Sequence, residues 1–259
     1  MKFHYTFILI LSLLAFISCN KDEAIPYPQD NIPSSNIYNF ELIESFNLDI
    51  AEPSGLSWAL NQTDFIVVDD RTNKAYIIDK KGKDISEFPY SGDDTEGVTI
   101  DKLNNEFWIA EEAESMLIHL DANGIELNSY EINISRDSKK KGLEGLAYDS
   151  INQVFYILNE AEPGLLIKWQ INGGILSQKQ LNFAQDYSGI FFNNADQSLW
   201  IVSDQSQKLF YCDKDANMIQ DFDLDYQKAE GIVADIANER VYIVSDFEHK
   251  LFVYKITKI

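Results

Sequence analysis

A chain of 259 residues with 42 acidic against 21 basic side chains carries a formal charge of −21, which repels phosphate backbones and anionic headgroups and excludes nucleic acid as a partner. Hydrophobic residues at 45% and aromatics at 13% are enough to fill one sizeable core. Only two cysteines and three histidines are present, too few for a disulfide framework or a Cys/His zinc site in the folded body.

Residues 1–18 stand apart from the rest of the chain. Lys2 and His4 precede an apolar run from Tyr5 to Ile17, which is shorter than the roughly 20 residues that span a bilayer and has the layout of a secretory signal. It ends in Phe16-Ile17-Ser18-Cys19, which resembles a bacterial lipoprotein box. In that reading Cys19 becomes the lipidated first residue of the mature chain; the alternative is a plain signal with an incidental cysteine. Residues 19–35 carry Pro26, Pro28 and Pro33 with little apolar content, a tether that extends to at most about 50 Å at about 3.1 Å per residue. The expected location is the bacterial cell envelope, with a lipid anchor in a membrane, and the body at 36–259 is expected to be a monomer.

Within the body, Tyr38 to Leu48 alternates apolar and polar residues as a strand does. Next comes the first of five related motifs: Ser54-Gly55-Leu56, Glu96-Gly97-Val98, Glu144-Gly145-Leu146, Ser188-Gly189-Ile190 and Glu230-Gly231-Ile232. The glycines are 42, 48, 44 and 42 residues apart, the period of a propeller blade or another repeat array. Each is followed by a strand-like run such as Phe107-Trp108-Ile109-Ala110 or Leu199-Trp200-Ile201-Val202, rich in aromatic and β-branched residues. Fifteen residues after each glycine stands an acid: Asp70, Glu112, Glu160, Asp204 and Asp246. A third run, and after a Gly- or Asn-containing turn a fourth, complete each unit. Four antiparallel strands about every 45 residues make an all-β, five-bladed β-propeller. Only 28 residues follow Gly231, enough for three strands, so the strand at Tyr38–Leu48 is expected to complete the last blade and pair both loose edges.

The residue before each glycine (Ser54, Glu96, Glu144, Ser188, Glu230) and the acid fifteen after it are expected to meet at one mouth of the channel. Asp70, Asp204 and Asp246 are each followed four residues later by Lys74, Lys208 and Lys250, so they also read as turn carboxylates that bond backbone amides and are neutralised by lysine. Blades two and three lack that lysine and gather Glu96, Glu112, Glu114, Glu144, Glu160 and Glu162. Such carboxylates spread into water, take up protons or bind a cation. With His119 and His249 the only histidines of the mature chain, a hard, oxygen-bound ion such as Ca²⁺, held by Glu96, Glu112, Glu144 and Glu160, suits the donors. Arg136, Lys139, Lys140 and Lys141 form the one basic cluster, expected beside the mouth as a gate or as a solvated loop. Cys212 reads as a small buried hydrophobe.

The tether, the five Glu/Ser-Gly motifs and the Ile-Val-Ser-Asp strand ends at Asp204 and Asp246 resemble the SdiA-regulated (YjiK-like) family of bacterial propellers, from about Ile37 to Ile256. The resemblance implies an envelope-associated propeller whose glycine-motif residues and strand-end acids face a ligand. Ser54 and Ser188 depart from Glu-Gly, so a symmetric ring of five glutamates is not present. Two classes of function stay open. One is a binding or interaction module for a cation, a small ligand or an envelope protein. The other is a Ca²⁺-dependent hydrolase of the lactonase or phosphodiesterase type, with Glu112 or Glu160 as base.

Overall fold

The computed structural model describes residues 37–134 and 141–259. The signal, Cys19, the tether and the loop with Arg136, Lys139 and Lys140 lie outside the described residues.

Strand β1 (Tyr38–Asn47) precedes the repeats. Blade one is β2 (Pro53–Trp58), β3 (Phe65–Asp69), β4 (Lys74–Ile78) and β5 (Asp84–Ser91); blade two is β6 (Thr95–Asp101), β7 (Glu106–Glu111), β8 (Met116–Leu120) and β9 (Glu126–Glu131). Blade three is β10 (Leu143–Asp149), β11 (Val154–Asn159), β12 (Leu165–Gln170) and β13 (Gly174–Gln180); blade four is β14 (Ile190–Asn193), β15 (Ser198–Ser203), β16 (Lys208–Asp213) and β17 (Met218–Asp223). The last three strands are β18 (Ala229–Asp235), β19 (Arg240–Ser245) and β20 (Lys250–Lys258). Each blade is an antiparallel meander, and β1 pairs with β20 from Tyr38↔Lys258 to Asn47↔Lys250, with a bulge between Leu42 and Glu44. The two ends of the body therefore share one sheet, which removes the open edge as expected.

The second strand of each blade is sandwiched between neighbouring blades, so it shows continuous burial instead of alternation: all five residues of β3 and all six of β15 are buried. The apolar side chains form five clusters, one at each interface between adjacent blades. The one between blades five and one joins Val233, Tyr242 and Val244 to Leu56, Phe65 and Val67, closing the ring. β1 is fixed to blade four as well. Gln220 accepts from the Tyr38 backbone N–H at 2.9 Å and donates to its carbonyl at 2.8 Å, and the Tyr38 ring packs on Trp200 and Tyr211.

The repeated glycines sit where the inner strands crowd the axis. A Cβ on Gly55, Gly97 or Gly189 would lie 2.4, 2.3 or 1.9 Å from the carbonyl oxygen of Glu96, Glu144 or Glu230 in the next blade. One on Gly231 would lie 2.4 Å from Leu56 N, so the pattern runs once round the ring. Only glycine allows this approach. The collar narrows the channel to a passage of about 10 Å³, about the room of one water.

Candidate functional site

On one side of the collar, the starts of the inner strands and the turns between second and third strands enclose a cavity of about 150 Å³. Nine of the ten mouth residues expected from sequence line it: Ser54, Asp70, Glu96, Glu144, Glu160, Ser188, Asp204, Glu230 and Asp246. The tenth, Glu112, is buried at 6% exposure beneath the rim, where one carboxylate oxygen accepts from Gly142 N–H.

The fourteenth and fifteenth residues after each glycine divide the work, because successive side chains of a strand point to opposite faces. The fourteenth ties the turn. Asp69 accepts from Arg71 N–H and Glu52 N–H at 3.1 Å each, and from the Thr72 hydroxyl. Ser203 and Ser245 accept from Ser206 and Glu248 N–H in their turns, whereas Glu111 accepts from the Tyr90 hydroxyl and Asp93 N–H at the connection between blades one and two. The fifteenth faces the mouth in four blades, as Asp70, Glu160, Asp204 and Asp246, and is buried only in blade two, as Glu112. The expected turn role of Asp70 is therefore carried by Asp69, and neutralisation by the following lysines is corrected. Lys74 pairs with Glu87, Lys208 with Asp221 and Asp223, and Lys250 with Glu248, each directed away from the mouth acid.

Sequence reasoning missed a third position, three before the glycine, occupied by Glu52, Asp94, Gly142, Asp186 and Lys228. Glu52, Asp186 and Lys228 line the cavity. The two blades with serine before glycine each carry an acid here. That acid and serine pairing, Glu52 with Ser54 and Asp186 with Ser188, was the legible signal. The serines themselves stitch backbone: the Ser54 hydroxyl donates to Thr95 O at 2.9 Å and Ser188 Oγ accepts from Asp204 N–H at 3.3 Å. Lys228 Nζ lies 3.8 Å from both Asp204 and Glu230, and its backbone N–H donates to Asp204.

Carboxylate oxygens converge in two groups, Asp70 with Asp94 and Glu96, and Glu96 with Glu112 and Glu144, the atoms of each group within 4.8 Å of one another. At an effective dielectric near 20, two charges at that distance repel by about 3 kcal/mol. Protonation answers this. Burial, then Asp94 and Glu52, pushes Asp70 up to about 6. Burial, then their acidic neighbours, holds Glu96 and Glu144 well above the usual carboxylate range. Burial pushes Glu230 up to about 8 although Lys228 opposes it, and burial raises Glu160, Asp186 and Asp246 too. Neither histidine lines the cavity; His119 Nε2 lies 2.9 Å from a Glu106 carboxylate oxygen and the ring stacks on Trp108. Lys141, the described member of the basic cluster, pairs with Glu162 at 2.9 Å.

A family model described as SdiA-regulated matches residues 36–256. No curated protein is significantly similar to the chain. Among solved structures, glutaminyl cyclase from Myxococcus xanthus is similar at 12% identity and TM-score 0.66, over 85% of this chain and 97% of that one. A gluconolactonase from Xanthomonas campestris is similar at 13% identity and TM-score 0.56, over 84% and 95%. The PQQ-bound aldose sugar dehydrogenase from Streptomyces coelicolor is similar at 10% identity and TM-score 0.55, over 86% and 99%. At these identities the likeness is one of fold.

Proposed function

The chain belongs to the SdiA-regulated family, and we propose, from the N-terminal run that ends in Cys19, that it is a lipid-anchored propeller of the bacterial cell envelope and, from its acidic mouth, that it binds a hard divalent cation, Ca²⁺ foremost. The supporting observation is the pair of carboxylate groups that share Glu96. Asp70, Asp94, Glu96, Glu112 and Glu144 offer hard oxygen donors and no nitrogen or sulfur, which suits Ca²⁺. A cation would replace the protons that otherwise relieve the repulsion.

Calorimetric titration with Ca²⁺ near pH 8 tests this reading, with uptake expected to be weakened more than tenfold by Glu96→Gln, which touches both groups. No heat and no rise in melting temperature would refute it. Binding is favoured over hydrolysis because Glu112, one of the two bases that a hydrolase would use, has an oxygen engaged by Gly142 N–H. Ca²⁺-dependent turnover of a lactone or phosphodiester, abolished by Glu144→Gln, would reverse that preference. Export and anchoring rest on Cys19 and are checked separately by incorporation of labelled fatty acid that Cys19→Ser abolishes.

A further inference from the structure

Beyond the glycine collar the channel widens again on the opposite face, at the turns between the first and second strands. The cavity there measures about 660 Å³, within the range of small-molecule sites. Every blade contributes a half-buried apolar side chain to it: Trp58, Ile100, Tyr148, Phe191 and Ile236. Leu103 and Ile151, 72% and 69% exposed, stand on the bordering turns of blades two and three.

The charges around this cavity differ from those of the mouth. Of the acids lining it, Asp235 accepts from Asn238 and from Lys80, and Asp196 accepts from the backbone and hydroxyl of Ser198. Lys80 Nζ also sits 4.7 Å over the Trp58 ring. Lys102 and Lys258 line the cavity, and among the described residues neither is in an ion pair. In a chain with twice as many acids as bases, an apolar bowl lined by two lysines outside any ion pair, against one acid paired with Lys80 and one bonded only to Ser198, favours a ligand unlike the one suited to the mouth.

We infer that this cavity is a second site, one that takes a small amphipathic organic anion. The apolar or aromatic body lies among Trp58, Tyr148 and Phe191, and the acidic group is met by Lys102 and Lys258. The inference does not depend on a cation in the mouth, because the collar leaves a passage of about 10 Å³ that no organic ligand can cross.

The test uses the full chain and two dyes, the anionic 1-anilinonaphthalene-8-sulfonate and the uncharged N-phenyl-1-naphthylamine. The expected result is one saturable site for the anionic dye, with energy transfer from indole that falls in Trp58→Phe. The paired changes Lys102→Glu and Lys258→Glu should weaken it at least tenfold. Ser150→Trp, which places a ring at the cavity wall, should abolish it, with melting temperatures unchanged in these exposed or half-exposed positions. The uncharged dye should bind at least tenfold more weakly, and Glu96→Gln should change nothing. Absence of a saturable site, equal affinity for the two dyes, or binding that survives either the lysine pair or Ser150→Trp overturns the inference.

Discussion

Glu230 offers a measurable consequence of crowding acids into a recess. Burial pushes its carboxyl up to about 8, against 4.5 for an ordinary glutamate. Between those values the folded chain keeps a proton that the unfolded chain has released, so stability falls as pH rises from about 4.5 through about 8 and levels off above. At 1.36 kcal/mol per unit, the whole gap corresponds to at most about 5 kcal/mol. Glu96, Glu144 and Glu230 titrate together and share the protons, so about 2–3 kcal/mol is assigned to this one side chain. For a body of this size that is about 5–10 °C in melting temperature. Glu230→Gln has no proton to lose. Melting followed from pH 5 to pH 9 in the presence of a chelator should show the variant close to wild type at the acid end and about 5–10 °C above it at the alkaline end. Parallel curves for the two chains would refute the reasoning, since they would mean that Glu230 ionises in the folded state without penalty.

The collar predicts that Gly189→Ala, whose Cβ would lie 1.9 Å from Glu230 O and 2.9 Å from Val202 Cγ2, costs about 3 kcal/mol or more in urea denaturation. Gly173→Ala, nearest a flexible Leu176 at 3.2 Å, should stay within about 1 kcal/mol of wild type; equal effects would remove the collar as the reason for the repeat. Tyr38→Ala empties a 5% exposed site against Trp200 and Tyr211 and should cost about 3–5 kcal/mol, whereas a loss below about 1 kcal/mol would mean that β1 does not hold the ring shut. Cys212 is fully buried, and burial pushes its thiol up to about 12. A Cys19→Ser chain should therefore give no reaction with an aromatic disulfide reagent until denaturant is added.

The fold was legible because a propeller repeats its demands. Every blade needs a glycine at the collar and a second strand that is apolar on both faces, so Gly97 and the run Phe107–Ala110 recur with little change. The closing strand was legible from the shortfall of one strand after Gly231. The mouth was legible only in part. The position three before the glycine holds Glu52, Asp94, Gly142, Asp186 and Lys228, and it varies from acid to glycine to lysine because side chains facing solvent and ligand have no common packing partner. The lysine assignments failed for a different reason. Lys74 and Lys208 open the third strand, where the nearest carboxylates belong to the fourth, as the pairs with Glu87 and Asp221 show. Spacing along the chain does not reveal that cross-strand neighbour.

The repeat supplies five equivalent places, but the charge placed in them is lopsided. Blades one to three contribute Asp70, Asp94, Glu96, Glu112 and Glu144, the members of both converging groups. On the other side Lys228 stands between Asp204 and Glu230, and Ser188 supplies a hydroxyl where a glutamate would otherwise point inward. A cation drawn to this mouth is therefore pulled off the axis toward blade two, away from Lys228, instead of resting at the centre of a symmetric ring. The same asymmetry explains why Ser54 and Ser188 are compatible with a cation site. With five glutamates around a collar this tight, like charges would outnumber what one divalent ion offsets, and each excess carboxylate would have to be protonated or expelled into water. Substituting serine in two blades, and setting the acid two residues back as Glu52 and Asp186, keeps the field negative at the rim while limiting the number of carboxylates held at the neck.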